Sequence, residues 1–208
     1  MVDLLTHAFC HHDPIESALR ITLDEFRLML ELELPTLLRN ELCMVARSAD
    51  SPCLVGSIIA MDAVAETVDS SGKISRKFQP IGEIARNFHD DYLATRNLQP
   101  GSCLYLYMIG VSSSMTGRGI ATLLIREVLV NARARGYRSA FALTTNLGSA
   151  TSLENLGFQS LRTLSYQTYR YQNSRIFSSI TEHPGIALMA HESLADLAPH
   201  ADLVRECL

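Results

Sequence analysis

The sequence predicts a mixed α/β (α+β) sheet flanked by helices, and three observations predict it. Residues 103–111, "CLYLYMIGV", are apolar on both alternating faces, as in a central strand covered on each side. From Arg118 to Arg135 the residues Ala121, Leu124, Ile125, Val128, Leu129 and Ala132 recur at helical spacing, with Arg126 and Arg133 on the other side. The element order is two helices, a hairpin and a helix, followed by β-α-β-α-β-β.

Each element has its own signal. "HAFCHHDPIESAL" reads as a short helix that stops near Asp13, because a residue before proline avoids helical geometry. "ITLDEFRLMLELELPTLL" starts on Thr22 with Glu25 three positions on, a capping-box signature, and is expected to end around Pro35. "CMVARSADSPCLVGSIIAMDA" is two β-rich runs about a Ser/Ala/Asp/Pro turn, hence a hairpin. Residues 66–80 are polar and aperiodic and read as a long surface loop. "IGEIARNFHDDYLATR" is amphipathic and helical. Gly136 supplies the left-handed stop of the 118–135 helix, while Arg133 and Arg135 complement its dipole. "RSAFALTTN" is the next strand, and "SATSLENLGF" a short helix stopped by Gly157. The strands "SLRTLSYQTYRY" and "GIALMA" come next. Residues 1–194 are read as one domain and 195–208 as a helical tail.

Composition narrows the function. The chain has 208 residues, 47% of them apolar, enough for a full core. A formal charge of −4 argues against nucleic acid as the main partner, since phosphate binding needs a basic excess or stripe. The five cysteines, Cys10, Cys43, Cys53, Cys103 and Cys207, are odd in number and share no close spacing. That speaks against a disulfide framework or a zinc knuckle and for a reducing compartment. "MVDLLTHAFCHHD" lacks a basic start and a cleavage site, and Asp62 interrupts the most apolar run. A soluble, cytoplasmic protein with no membrane partner is expected.

The chemistry-bearing stretch is "GVSSSMTGRGIATLLI", residues 110–125. The first N–H groups of a helix have no intrahelical partner, and the dipole makes that end partly positive. Gly117 and Gly119 strip side chains from the turn and Arg118 adds a charge, so the turn can seat a diphosphate. It is not a Walker loop, because Ile120-Ala121 come after Gly119 where Lys-Ser/Thr is needed. Nor is it a dinucleotide fingerprint: Thr122 stands where the third small residue belongs, and "FALTTN" ends in no acid.

The turn and the strand and helix beyond it resemble the GNAT N-acetyltransferase superfamily. Val111, Gly119 and Ala121 match the family's strand-turn-helix segment, and Asn146 with "LENLGF" (Leu153 to Phe158) matches the later strand and helix. The resemblance spans nearly the whole chain, and "AFCHHDPI" with "HPGIALM" looks like the arylalkylamine-acetyltransferase-like branch. It implies a central sheet that splays open and acetyl-CoA as acyl donor; no metal is expected, since no third ligand stands near His11 and His12. Carried over, Ile109, Gly110 and Val111 would face the acetyl and pantetheine portion. Gly117, Arg118, Gly119, Ile120, Ala121 and Thr122 would hold the pyrophosphate. Asn146 would help hold the cofactor or else cap the next turn. Gly110 suits a bulge, a close backbone approach or plain packing.

The reaction implied is direct transfer, in a ternary complex, of the acetyl group to a primary amine of a small arylalkylamine-like or polyamine-like molecule. The amine must first lose a proton, and a backbone N–H near Ile109 could serve the oxyanion. Asp13 stands where that branch places its base, although it could equally cap the chain before Pro14. His11 and His12 are neighbouring titratable groups that read as a solvated pair. Ser149 is the substitute proton donor, with a helix N-cap as its other reading. Tyr105, Tyr107, Tyr166 and Tyr169 read as core or wall.

Three departures stand out. Thr116 replaces the usual Gln or Arg, and Leu153 replaces the tyrosine that protonates the leaving thiolate in many members. The family's usual first strand is also missing, through either a truncated start or a chain that does without it. The rival readings are a peptide or protein N-acetyltransferase, a non-catalytic acyl-CoA sensor and a nucleotide module. A homodimer is left open.

Overall fold

In a computed structural model that describes residues 1–49, 51–65 and 72–197, Asp13 ends one helix and begins another. α1 (Val2–His12) stops at Asp13, whose φ of −87° and ψ of 128° are the extended geometry that Pro14 imposes. Asp13 then caps α2 (Pro14–Leu19). α1 begins five residues before His7, where "HAFCHHDPIESAL" was expected to start it, because Leu5 and Ala8 pack beneath the sheet.

α3 (Leu23–Leu37) starts with both halves of the capping box, Glu25 N–H donating to Thr22 Oγ1 and Thr22 N–H to Glu25 Oε2. It runs past Pro35, where its end was expected. Proline removes a single helical hydrogen bond there, and burial of Leu37 holds the last turn. β1 (Met44–Arg47) and β2 (Leu54–Asp62) form the hairpin. Of the expected loop, 66–71 lies outside the described residues, and Arg76–Phe78 is a 3₁₀ turn leading into α4 (Gln79–Ala94).

β3 (Cys103–Val111), α5 (Ile120–Ala134), β4 (Ser139–Thr144), α6 (Leu147–Glu154), β5 (Gln159–Ser165) and β6 (Gly185–His191) complete the chain. The expected strand 160–171 ends at Ser165. Tyr166 is fully buried and turns the chain, its hydroxyl donating to the Thr145 carbonyl. The boundary expected at 194 falls inside a 3₁₀ turn, Leu194–Asp196, whose Leu194 and neighbouring Leu197 pack into the core. The tail beyond 197 lies outside the described residues.

The sheet order is β1-β2-β3-β4-β6-β5, and only the β3–β4 pair is parallel. Helices α1 to α4 cover one face, where Phe26, Phe88, Tyr92, Phe141 and Ile59 form the core. Helices α5 and α6 cover the other, over Leu104, Val128, Leu129 and Phe158. The expected mixed, splayed sheet is what the structure contains. Registered pairing of β3 with β4 runs only from Cys103↔Ser139 to Leu106↔Ala142. Beyond it β3 continues to Val111 and β4 to Thr144, and the two part.

Candidate active site

Where β3 and β4 part, their flanking helices cannot close over the sheet, and a cavity of about 1180 Å³ opens. It passes between the two faces. Ile109, Ala121, Ile125, Ser149 and Leu153 line it on the α5–α6 side, and Asp13, Glu16, Glu33, Phe26 and Tyr107 on the α1–α3 side.

A bulge in β3 sets the floor of the cavity. The β2–β3 register passes from Ile59↔Met108 to Ala60↔Leu106, so Tyr107 is an extra residue. Such a bulge breaks the two-residue alternation and re-aims side chains. Tyr107 and Met108 accordingly both pack against the α1–α4 core, whereas Ile109 belongs to the α5 core. The Tyr107 hydroxyl donates to Glu33 Oε2 at 2.9 Å. Burial first, then the Glu33 charge, pushes that phenol well above its usual range.

The end of β4 assembles the acidic side. Thr145 donates its hydroxyl to Asp13 Oδ2. Asp13 Oδ1 accepts the Ile15 N–H at 2.9 Å, so the buried carboxylate both caps α2 and faces the cavity. The next residue, Asn146, is the N-cap of α6: its Oδ1 accepts the Ser149 N–H at 2.9 Å, while Ser149 Oγ donates to the Asn146 carbonyl at 3.0 Å. Of the two readings of Asn146, capping is therefore observed. Ser149 is not the cap; it sits three residues inside the helix. Both line the cavity. Leu153 is a buried, apolar part of the same wall.

The glycine turn lies at the start of α5. Gly117 and Gly119 both have φ near +74°, a left-handed conformation that side chains rarely adopt. Gly119 is the N-cap and offers no side chain, and the first backbone bond to it comes from Leu123. The N–H groups of Ile120, Ala121 and Thr122 are thus without helical partners. Ile120 itself is a core residue against Gly56. Arg118 lies in the glycine turn just before the N-cap, Thr122 sits on the first turn of α5, and Ala121 reaches the cavity.

Gly110 has a different task. A Cβ there would meet Ala8 Cβ and Leu5 Cδ2 at 3.0 Å, so it admits α1 against the sheet, while the bulge lies three residues earlier. Val111 packs into the α5 core. His11 and His12 are exposed at the end of α1, and the cavity lining does not include them.

Sequence reasoning missed Glu16, Glu33 and Thr145. The i, i+3 spacing of Asp13 and Glu16 across a helix start was the one available signal for Glu16. Cys10, Cys43, Cys53 and Cys103 are free thiols. Among the described residues no His/Cys/Asp/Glu group could hold a metal ion, and no helix is long and apolar enough to cross a membrane.

A mixed sheet wedged open beside a glycine turn at a helix start is the architecture that frames the site. The chain belongs to the acetyltransferase (GNAT) family, whose model matches residues 25–158, more than half of its length. Its fold is similar to that of the C-terminal condensation domain of Ebony, solved with beta-alanyl-dopamine, at a TM-score of 0.80 and 18% identity over 92% of each chain. Arylalkylamine N-acetyltransferase 2 from Aedes aegypti superposes with a TM-score of 0.77 and 18% identity, again over 92% of each chain. The polyamine N-acetyltransferase of Drosophila melanogaster does so with 0.60 and 20%, over 76% of this chain and 79% of that one.

Proposed function

We propose that the protein transfers an acetyl group from acetyl-CoA directly to a primary amine of a small arylalkylamine-like or polyamine-like molecule. The observation that carries this reading is continuity: one cavity joins the first turn of α5 to the buried carboxylate of Asp13 through the wedge between β3 and β4. The two ends suit two different reactants. At one, the partnerless N–H groups of residues 120–122 and the Arg118 charge fit the pyrophosphate of the donor. At the other, acidic and aromatic side chains fit a cationic amine.

In this reading Ile109, Gly110 and Val111 offer the open edge of β3 to the donor's amide-bearing arm, and Asn146 borders it from the start of α6. The Asp13 carboxylate takes the proton that the ammonium must lose. Thr145 and the Ile15 N–H hold that carboxylate in place. A backbone N–H near Ile109 would serve the developing oxyanion. Ser149 would donate to the leaving thiolate, a task that Leu153 cannot perform.

The test is thiol release from acetyl-CoA with a panel of arylalkylamines, polyamines and peptides. Turnover of small amines is expected. Turnover confined to peptides would move the acceptor class to protein amines. Tight CoA binding with no turnover of any acceptor would leave a sensor instead.

A further inference from the structure

The proposed mechanism leaves several acidic groups of the cavity without a task, and one of them has a buried, unpaired oxygen. Glu16 comes three residues after Asp13 and is only 7% exposed. Its carboxyl feels the charge of the Asp13 carboxylate. It lines the cavity, and its Oε2 has no hydrogen-bond partner among the described residues. A buried oxygen left unpaired costs free energy unless a ligand group satisfies it.

The surroundings say which charge is wanted. Burial first, and then the Asp13 carboxylate, pushes the Glu16 carboxyl well above the usual carboxylate range. The other titratable groups coupled to it are Cys10 on α1, Tyr107 on β3 and Tyr166 after β5, and Glu33 on α3 lies behind Tyr107. All are acids. Arg86 and His89 stand on the α4 wall of the same cavity. Two adjacent carboxyls in such a place hold one proton between them, and a cation with hydrogen-bond donors complements them.

We infer that Glu16 is an acceptor-binding residue, which keeps a proton beside Asp13 while the cavity is free of amine and releases it as a primary ammonium docks against its oxygen. This rests on the proposed transferase reading and deepens it. Before binding, the pair is one carboxylic acid and one carboxylate. Binding of R–NH₃⁺ sends the Glu16 proton to solvent and leaves two carboxylates around the cation. Asp13 then takes one ammonium proton, so the pair again carries one. The N–C bond forms, the C–S bond breaks, Ser149 gives its proton to the thiolate, and the nitrogen's second surplus proton replaces it on Ser149. Ammonium plus thioester thus yields amide, thiol and one released proton.

The experiment uses the full chain with glutamate-selective ¹³C labelling of side-chain carboxyls, followed by NMR at neutral pH. One labelled carboxyl should be protonated in the free protein and absent from Glu16→Gln. Should that variant fail to fold, Glu16→Asp removes the same label. Saturation with phenethylamine, putrescine or agmatine, whichever is turned over, should ionise that carboxyl. Glu16→Gln should keep CoA affinity and weaken amine binding by about tenfold or more, the usual loss of a charge-assisted bond. If no labelled carboxyl is protonated, or if it stays protonated with a turned-over amine bound, the inference is overturned and the transferase reading stands. If none of the three amines is bound or turned over, the small-amine reading falls and takes the inference with it.

Discussion

Replacing Asp13 separates its two duties, because its two oxygens have different partners. Oδ1 accepts the Ile15 N–H and caps α2, and Oδ2 accepts the Thr145 hydroxyl. In Asp13→Asn the amide oxygen can keep the cap, and the Thr145 hydroxyl can turn to accept from the new amide. The fold should therefore hold, while the group can no longer accept a proton. Loss of a general base costs about two to four powers of ten in rate. Turnover should fall at least about 100-fold, with CoA affinity and melting temperature nearly unchanged, and the acidic limb of the pH–rate profile should flatten. Asp13→Ala removes both partners. The lost cap costs about 1 kcal/mol and the orphaned Thr145 hydroxyl about 1–3 kcal/mol more. For a chain of this size that sum lowers the melting temperature by on the order of 10 °C. Steady-state kinetics and thermal melting on the two variants decide the matter. Near-normal turnover by a folded Asp13→Asn at neutral pH would refute the assignment of the base.

Gly119→Asp should lower CoA affinity sharply in calorimetry with native circular dichroism, because it sets a negative charge beside the partnerless N–H groups of α5; unchanged affinity would remove the pyrophosphate site from this turn. Lys77 Nζ bonds Glu25 Oε2 at 2.8 Å and the Arg20 carbonyl at 2.7 Å, tying the entry to α4 to the start of α3. The Lys77 bond first, and the Thr22 cap next, lower the Glu25 pKa to about 2. A depressed carboxylate pKa stabilises the fold above the ordinary value and loses that contribution as pH falls from about 4.5 towards 2, so acid melts of Lys77→Met should show a shallower loss over that window than the native chain. Cys103 is fully buried and its thiol is raised by burial, so Cys103→Ala should retain acyl transfer, and mass spectrometry should find no acyl-cysteine during turnover; a trapped acyl-cysteine would overturn direct transfer.

Much of the architecture is legible because burial on both faces leaves a continuous apolar run. Residues 103–111 are such a run and form β3 with the expected bounds. The α5 stripe and the Thr22–Glu25 box are equally local signals. The interruption at Tyr107 is not, since a bulge depends on which β2 residues lie opposite, and "CLYLYMIGV" reads the same with or without it. Glu16 was illegible for a related reason. In "PIESAL" it has the spacing of an ordinary solvated helix residue, and Tyr107 and Tyr166 come to it from distant parts of the chain. Ser149 and Asn146 show the limit at single-residue scale. Either can cap a helix, and only the backbone decides that Asn146 does.

The short β3–β4 ladder gives the protein an edge strand in the middle of its sheet. Residues 108–111 of β3 pair with β2, and residues 143–144 of β4 pair with β6, but neither segment pairs with the other. An open edge at the rim of a sheet recruits other chains and invites aggregation. Here it opens instead into the cavity bordered by α1, α3, α5 and α6. A slender molecule carrying its own amides could still lie in the slot and complete the rungs from within. The same hydrogen-bonding groups that would be a hazard at the perimeter are thereby turned towards the cavity.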